Sequence, residues 1–182
     1  MTISVAIIGS GPSAFYTADA LAKSGADCRI DLIERLPAPF GLIRYGVAPD
    51  HETTRKVSRA FDKTARGDKV AFFGNTEVGR DVSLAELRQA YDAVVLAVGA
   101  PLDRPLAIPG SDKKGVYGSA AFVGWYNGHP DFRALNPDLN VKAAAVVGVG
   151  NVALDVARLL VRSKPELEAT DMAQYAVDAI AA

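Results

Sequence analysis

The chain has 182 residues, of which 49% are hydrophobic, which suits one large soluble domain or one and a half small ones with a packed core. Its formal net charge of −1 excludes a strong overall attraction to nucleic acid or to an anionic membrane. The single cysteine, Cys28, excludes an internal disulfide, a CxxC redox pair and a cysteine-ligated metal or iron–sulfur site, and we predict no metal site.

The first element is a strand–turn–helix motif of the kind that binds dinucleotides. Residues 3–8 predict a buried parallel strand, and Gly9-Ser10-Gly11-Pro12-Ser13-Ala14 follows it directly. In such a site Gly9 makes the tight turn, Gly11 lets the backbone approach a pyrophosphate, and Ala14 lets the helix pack closely on the strand. The phosphates would then lie at the helix N-terminus, where the helix dipole favours negative charge.

A second predicted strand, at residues 29–33, ends on an acidic residue. Glu34 lies twenty residues beyond Ala14, where a dinucleotide fold places the acid that binds a ribose hydroxyl. A solvated carboxylate at the end of a strand is the alternative. The spacing after this motif favours the ribose role.

A loop rich in proline and glycine follows, from Leu36 to Asp50. Ordinary connections have about 4–6 residues, so we predict that this longer loop is functional. A plain surface excursion is disfavoured because Phe40, Leu42 and Ile43 are apolar.

Residues 52–66 predict an amphipathic helix with a basic face. Arg55, Arg59, Lys63 and Arg66 recur at spacings of four, four and three. This face is either a docking surface for an acidic partner protein or, as is commoner, an ordinary solvated face.

The other elements of the first predicted domain, residues 1–103, are short. Strands are predicted at 69–73, 77–79 and 93–98, and a capping box of Ser83 and Glu86 predicts a helix to about residue 90. Gly99 follows the last strand at the edge of the sheet where ligands bind, so its backbone is predicted to contact the first nucleotide.

Residues 104–182 are predicted to begin a second nucleotide-binding domain. After a linker at 101–115 and a short aromatic helix at 119–127, Gly148-Val149-Gly150-Asn151-Val152-Ala153 repeats the first motif. It follows a predicted strand at 143–147 and begins a helix to about residue 162. Residues 166–180 predict helix where a complete unit needs its second strand. The fold class is therefore α/β, a Rossmann-like unit followed by the start of a second, with parallel sheets.

Five phrases resemble the adrenodoxin-reductase type of ferredoxin–NADP reductase, also called the FprA type. They are GSGP at 9–12, PFGLIRYGVAPDH at 39–51, FGNTEVGRDV at 73–82, FVGWYNG at 122–128 and GVGNVALDVAR at 148–158. The resemblance extends over essentially the whole chain, although members of this family are more than twice as long.

The resemblance implies that FAD binds at the first motif and NADPH at the second. Hydride would pass from the nicotinamide to the flavin, and single electrons would leave to a ferredoxin-type iron–sulfur protein. The family's FAD contacts match Ser13, Glu34, Leu42 and Val78, and its NADP pyrophosphate contacts match Gly150, Asn151, Val152 and Ala153. A histidine and an aspartate that handle a proton and shape the nicotinamide site match His51 and Asp155.

The residues themselves support part of this pairing. Asp155 lies in the opening turns of the second motif's helix, where the dipole stabilises a carboxylate, although an ordinary helix-start acid is the alternative. A lone histidine is more often structural, but His51 is the side chain best suited to proton transfer near neutral pH. If the fold brings the two together, we expect Asp155 to hold one tautomer of His51.

Two functions are consistent with these observations. The chain is either the amino-terminal portion of an FAD-dependent NADPH–ferredoxin reductase or a non-catalytic nucleotide-binding fragment of one. Thioredoxin-reductase relatives would need a CxxC pair, and the small glutamate-synthase subunit would need an N-terminal cysteine cluster, neither of which this sequence contains.

The sequence also bears on location. No apolar run approaches the ~18 residues of a membrane helix. The N-terminal apolar run has no basic residues before it and stops at Gly9, so we expect no signal peptide and a cytoplasmic protein.

Overall fold

The computed structural model describes residues 1–181, which form two compact units. The first unit comprises Met1–Arg44 and Thr53–Ala100. The second comprises Tyr45–Glu52 and Pro101–Ala182, so the last part of the long loop packs with residues that lie far away in the sequence.

The first unit is built on a parallel sheet of four strands in the order β3-β2-β1-β4. The strands are β1 (Ile3–Ile8), β2 (Cys28–Ile33), β3 (Val70–Phe73) and β4 (Ala93–Leu96). Strands β1 and β2 are almost entirely buried beyond their first residues, as expected for a parallel sheet that is covered on both faces. The predicted α/β Rossmann-like class is confirmed.

Helices α1 (Pro12–Lys23) and α4 (Ser58–Ala65) cover one face of this sheet, and α5 (Leu84–Ala90) covers the other. Two single-turn helices, α2 (Leu42–Tyr45) and α3 (Glu52–Arg55), lie in the connection between β2 and α4 and bury no residue. Neighbouring residues of β1 point to opposite faces, so Ile7 packs with Phe15 of α1 and Phe61 of α4, whereas Ile8 packs with Leu87 of α5. The predicted capping box at the start of α5 is confirmed, since Ser83 and Glu86 exchange hydrogen bonds.

Two predicted elements of this unit differ from the structure. The single helix predicted at 52–66 is interrupted, because the N–H groups of Val57 and Arg59 bond three residues back and tighten the turn between α3 and α4. The strand predicted at 77–79 is reduced to one bridge between Val78 and Val82, because the chain turns when the Asp81 carboxylate accepts the N–H of Glu77.

The second unit consists of helices in its described part. They are α6 (Ser119–Tyr126), a 3₁₀ turn (Pro130–Phe132), α7 (Asn151–Leu160), α8 (Lys164–Glu168) and α9 (Gln174–Ile180). The aromatic helix α6 supplies much of the core, where Trp125 and Tyr126 pack with Leu159 of α7 and Val177 of α9. The helix predicted at 166–180 is broken before α9, because the N–H of Ala173 bonds to the carbonyl of Tyr126 on α6.

The strand predicted at 143–147 is wrong. Residues 141–150 have no regular secondary structure, and all of them are exposed. A strand is stabilised by ladder hydrogen bonds to a neighbour, and no other strand is present among the described residues of this unit. The apolar sequence is therefore suited to a strand that lacks its partners here.

Among residues 1–181, the structure contains no helix that is both long enough and apolar enough to cross a bilayer.

Candidate functional site

The first glycine motif forms a turn that leaves the start of α1 open. Gly9 has a φ of +106°, and a Cβ there would overlap the carbonyl of Ala97, so only glycine fits. Gly11 is the N-cap of α1 with a φ of −79°, and a Cβ there would meet no atom within 4 Å. No side chain caps this helix and no acid lies in its first turn. Its first N–H groups can therefore receive an anion.

The two other motif residues have separate environments. Ser13 is exposed in the first turn of α1, whereas Ala14 is completely buried against the sheet. The small side chain of Ala14 thus has the close-packing role that the sequence predicts.

Glu34 lies at the end of β2 beside this turn and is held by it. Its Oε2 atom accepts hydrogen bonds from both the N–H and the hydroxyl of Ser10, at 2.9 and 2.7 Å. Its Oε1 atom accepts the N–H of Leu36 at 3.0 Å. The carboxylate is half-buried, and because Oε1 accepts only one of these three hydrogen bonds, this oxygen can still accept a hydroxyl donor.

The long loop lies against the same motif. The N–H of Phe40 donates to the carbonyl of Ser10 at 2.9 Å, and a Cβ on Gly41 would lie 2.9 Å from the Gly11 Cα. Phe40 has a φ of +90°, which costs about 1–3 kcal/mol for a bulky residue. Its ring is fixed by Phe15, 5.2 Å away between centroids. Leu42, which follows Gly41 in the same loop, is by contrast 68% exposed.

The other two predicted residues of the first unit are less distinctive. The side chain of Val78 is partly buried against the core that contains Ile8 and Leu87, so only its backbone and the remaining part of the side chain are accessible to a ligand. Gly99 is exposed, has a φ of +68°, and faces open space on its Cβ side.

The second glycine motif repeats this turn within the second unit. Gly148 has a φ of +142°, and a Cβ there would lie 3.3 Å from that of Ala153. Gly150 is the N-cap of α7, without a capping side chain and with no atom within 4 Å of a Cβ position. Asn151 and Val152 are exposed. This helix start can also receive an anion, although the preceding strand is absent.

The structure brings His51 and Asp155 together within the second unit. The Nε2 atom of His51 lies 3.6 Å from Oδ1 of Asp155, and the side chain of Asp155 is only 15% exposed. The predicted proximity of the two residues is therefore observed.

Three charged residues that sequence analysis did not single out complete this cluster. Arg158 donates two parallel hydrogen bonds to Asp50, from Nε and Nη2, each 2.9 Å long. Its Nη1 donates to Asp155 at 2.8 Å, and Arg162 lies 3.2 Å from Asp50. The spacing of Asp155 and Arg158 on one helix face was a visible signal. The pairing of Arg158 with Asp50, 108 residues earlier in the chain, has no corresponding signal in the sequence.

The charges of this cluster shift the titration of its members. Burial acts to raise the pKa of Asp50, but the hydrogen bonds from Arg158 and the charges of Arg158 and Arg162 outweigh it, so the pKa is lowered. The hydrogen bonds to Asp50 and Asp155 in turn raise the pKa of Arg158 further above its usual range. Both carboxylate and guanidinium thus remain charged throughout the neutral range.

A buried amide holds the segment that carries Asp50 and His51. The Nδ2 atom of Asn127, at the end of α6, donates to the carbonyls of Tyr45 and Val47, both at 3.2 Å. Asn127 is only 9% exposed. The segment is therefore fixed to α6 at one end and to α7, through Arg158, at the other.

The relatives that this chain matches in sequence are reductases of one kind. The chain is 51% identical over 177 residues to the mitochondrial NADPH:adrenodoxin oxidoreductase of Salvelinus fontinalis, and the match covers 97% of the chain and 36% of that protein. It is 48% identical over 181 residues to the NADPH-ferredoxin reductase FprA of Mycobacterium tuberculosis, with 97% and 40% covered. The chain thus spans well under half the length of these relatives.

A solved structure agrees with them. The structure of Mycobacterium tuberculosis FprA in complex with NADPH matches with a TM-score of 0.97 and 47% identity, covering 100% of this chain and 41% of that one. The resemblance proposed from the five sequence phrases is confirmed. The model of the pyridine nucleotide-disulphide oxidoreductase family matches residues 3–171. Because that match includes nearly all of the sequence, the chain belongs to the pyridine nucleotide-disulphide oxidoreductase family.

Proposed function

We propose that this chain carries the FAD-binding unit and the beginning of the NADPH-binding unit of a reductase for ferredoxin-type iron–sulfur proteins. The observation that carries the proposal is the pair of open helix starts at Gly11 and Gly150, each free of a capping side chain. The activities of the relatives, NADPH:adrenodoxin oxidoreductase and NADPH-ferredoxin reductase, support the same proposal.

The residues of the first unit suit FAD. The helix start at Gly11 would bind its pyrophosphate, and Glu34, held by Ser10, would accept a ribose hydroxyl. Ser13, Leu42 and the backbones of Val78 and Gly99 are the further proposed contacts. When bound, FAD would supply the exchange between a two-electron hydride donor and a one-electron acceptor.

The second helix start is the proposed site of the NADPH pyrophosphate. Gly148 makes the turn, while the N–H groups that follow Gly150, from Asn151 to Ala153, would bind the phosphate oxygens. No acid in the first turn of α7 opposes this charge.

The proposed proton-handling pair is His51 with Asp155. An imidazole that is 44% exposed beside a half-buried carboxylate can exchange a proton with solvent and remain oriented. We assign these two residues to holding and moving the proton that accompanies hydride transfer.

A second candidate function is nucleotide binding without catalysis. The exposure of residues 141–150, in a unit whose described part has no sheet, favours it. A nicotinamide site needs a fixed wall, and this stretch has no strand partners to fix it.

Purification of the chain, followed by an absorption spectrum and a turnover assay, tests both functions. Flavin absorption bands together with NADPH-dependent reduction of a ferredoxin support the reductase. Flavin bands without ferredoxin reduction support the non-catalytic alternative. A chain that is folded, by the fluorescence of Trp125, but binds neither FAD nor NADPH in calorimetry contradicts both.

A further inference from the structure

The two ring nitrogens of His51 have different surroundings. Nε2 lies 3.2 Å from Nη2 of Arg158 and 3.6 Å from Oδ1 of Asp155. Nδ1 makes no hydrogen bond to any residue that the structure describes, and the side chain is 44% exposed. One nitrogen therefore faces the charged cluster, and the other faces solvent or a ligand.

The nearer of the two contacts at Nε2 decides its protonation. A guanidinium has only donors, so its contact with Nε2 is a hydrogen bond only if that nitrogen carries no proton. A carboxylate acting alone would favour the opposite arrangement, with the proton on Nε2. Asp155, however, lies beyond hydrogen-bond distance of the ring and already accepts Nη1 of Arg158 at 2.8 Å.

The guanidinium cannot turn away from the ring at low cost. Its Nε and Nη2 atoms are fixed on Asp50 by the two parallel hydrogen bonds of 2.9 Å, and its Nη1 is fixed on Asp155. Planar bidentate pairs of this kind are geometrically specific. The two carboxylates, of Asp50 and Asp155, also balance the charges of Arg158 and Arg162.

From this geometry we infer that Arg158 is a positioning residue that fixes the tautomer of His51, with Nε2 bare and the proton on Nδ1. This arrangement is the reverse of the Nε2–H tautomer that predominates in free neutral histidine. It replaces the expectation that Asp155 itself selects the tautomer. Asp155 acts indirectly, by holding Arg158.

The inference has a chemical consequence that deepens the proposed function. The solvent-facing atom of the neutral ring is a donor, so His51 would offer an N–H group to an oxygen acceptor such as a carboxamide or ring carbonyl. It would not accept a hydrogen bond there. The tautomer itself is a property of the second unit and does not depend on the binding of either nucleotide.

Long-range ¹H–¹⁵N correlation spectra of the ¹⁵N-histidine-labelled chain test the inference. The chain has only two histidines, and His129 is an internal reference because its Nδ1 accepts the N–H of Asp131 at 3.2 Å. At about pH 9, where an ordinary imidazole is neutral, we expect the Nδ1–H pattern for His51 and the Nε2–H pattern for His129. An Nε2–H pattern for His51 overturns the inference.

Two variants then separate Arg158 from its neighbours. Arg158→Met removes the donor at similar length, and we expect His51 to revert to the Nε2–H pattern while His129 is unchanged. Arg162→Gln is the matched control, because Arg162 also pairs with Asp50 but makes no hydrogen bond to His51 in the described part of the chain, and it should leave the His51 pattern unchanged. A His51 pattern that Arg158→Met does not alter contradicts the inference.

The spectrum of the unmodified chain decides the matter even if Arg158→Met fails to fold. Because no nucleotide is added, loss of the proposed FAD or NADPH binding leaves this result unaffected. The two proposals therefore fail in distinguishable ways.

Discussion

Arg158 of α7 forms a bidentate ion pair with Asp50, a residue 108 positions earlier in the chain. The pair joins the segment 45–52 to the helix that carries the second glycine motif, within one compact unit. The side chain of Asp50 is only 8% exposed. Both the placement of His51 and the stability of the unit depend on this link.

Replacement of Asp50 by asparagine should destabilise the second unit by about 2–3 kcal/mol, because it removes charged hydrogen bonds and turns an amide N–H₂ towards two guanidinium groups. Trp125 is the only tryptophan and lies in the core of this unit, so its fluorescence during urea unfolding reports the change. Asp178→Asn is the control. Asp178 pairs with Lys164 in the same unit but is 54% exposed, and its loss should cost less than about 0.5 kcal/mol. Equal effects of the two variants would contradict the prediction.

The carboxylate of Asp50 also makes the free energy of unfolding depend on pH in the acid range. An unfolded aspartate has a pKa of about 3.9, and the pKa of Asp50 in the folded chain is lower. The unfolded chain therefore takes up the proton first as the pH falls, which favours unfolding. The contribution of Asp50 is complete above its unfolded pKa and disappears as the pH falls through the folded one.

Unfolding free energies of the unmodified chain and of Asp50→Asn, measured at several pH values, check this dependence. We expect a constant difference above about pH 5 and a narrowing difference below about pH 4. A difference that instead grows as the pH falls below about 4 would show that the sign is wrong.

Gly9, the first glycine of the first motif, should tolerate substitution far less well than Gly11, the second. Gly9→Ala places a Cβ against the Ala97 carbonyl at a φ of +106°, which we expect to cost about 3 kcal/mol from overlap and left-handed strain together. Gly11→Ala has an ordinary φ of −79° and open space, so it should cost no more than about 1 kcal/mol, the usual loss when alanine replaces a better N-cap. Circular dichroism during thermal unfolding measures both, and similar losses would refute the assigned roles.

The elements that the sequence predicted correctly are those with local causes. Strands β1 and β2 follow from continuous apolar runs, α1 from the glycine turn, and α5 from its capping box, because each pattern is satisfied by nearby residues. The hydrogen bonds from Ser10 to Glu34 also connect two predicted neighbours. These parts of the site could be inferred without coordinates.

The features that were predicted wrongly or not predicted at all depend on distant partners. Residues 143–147 have the composition of a strand but no strand beside them in the described part of their unit. The role of Asn127 in holding the carbonyls of Tyr45 and Val47 required the packing of α6 against that segment. No periodicity in the sequence encodes such contacts.

Two matched substitutions should separate the two proposed nucleotide sites. Gly11→Val and Gly150→Val each put a branched side chain into open space at a helix start with ordinary φ, −79° and −81°. We expect Gly11→Val to lose FAD and keep NADPH binding, and Gly150→Val to do the reverse. The affinity of the affected nucleotide should fall by at least about 100-fold, since displacing a pyrophosphate from its N–H donors costs several charge-assisted hydrogen bonds.

Titration calorimetry of each variant with FAD and with NADPH measures the four affinities, and each variant is the control for the other. Unfolding by urea should show only a small loss of stability in either variant, because a Cβ at either position meets no atom within 4 Å, and valine is only a poorer N-cap than glycine. If both nucleotides are lost together in one variant at unchanged stability, the two helix starts do not act as separate sites. If neither is lost in either variant, the glycine turns are not the sites of the phosphates, since a valine at each N-cap must occupy the space that a pyrophosphate needs.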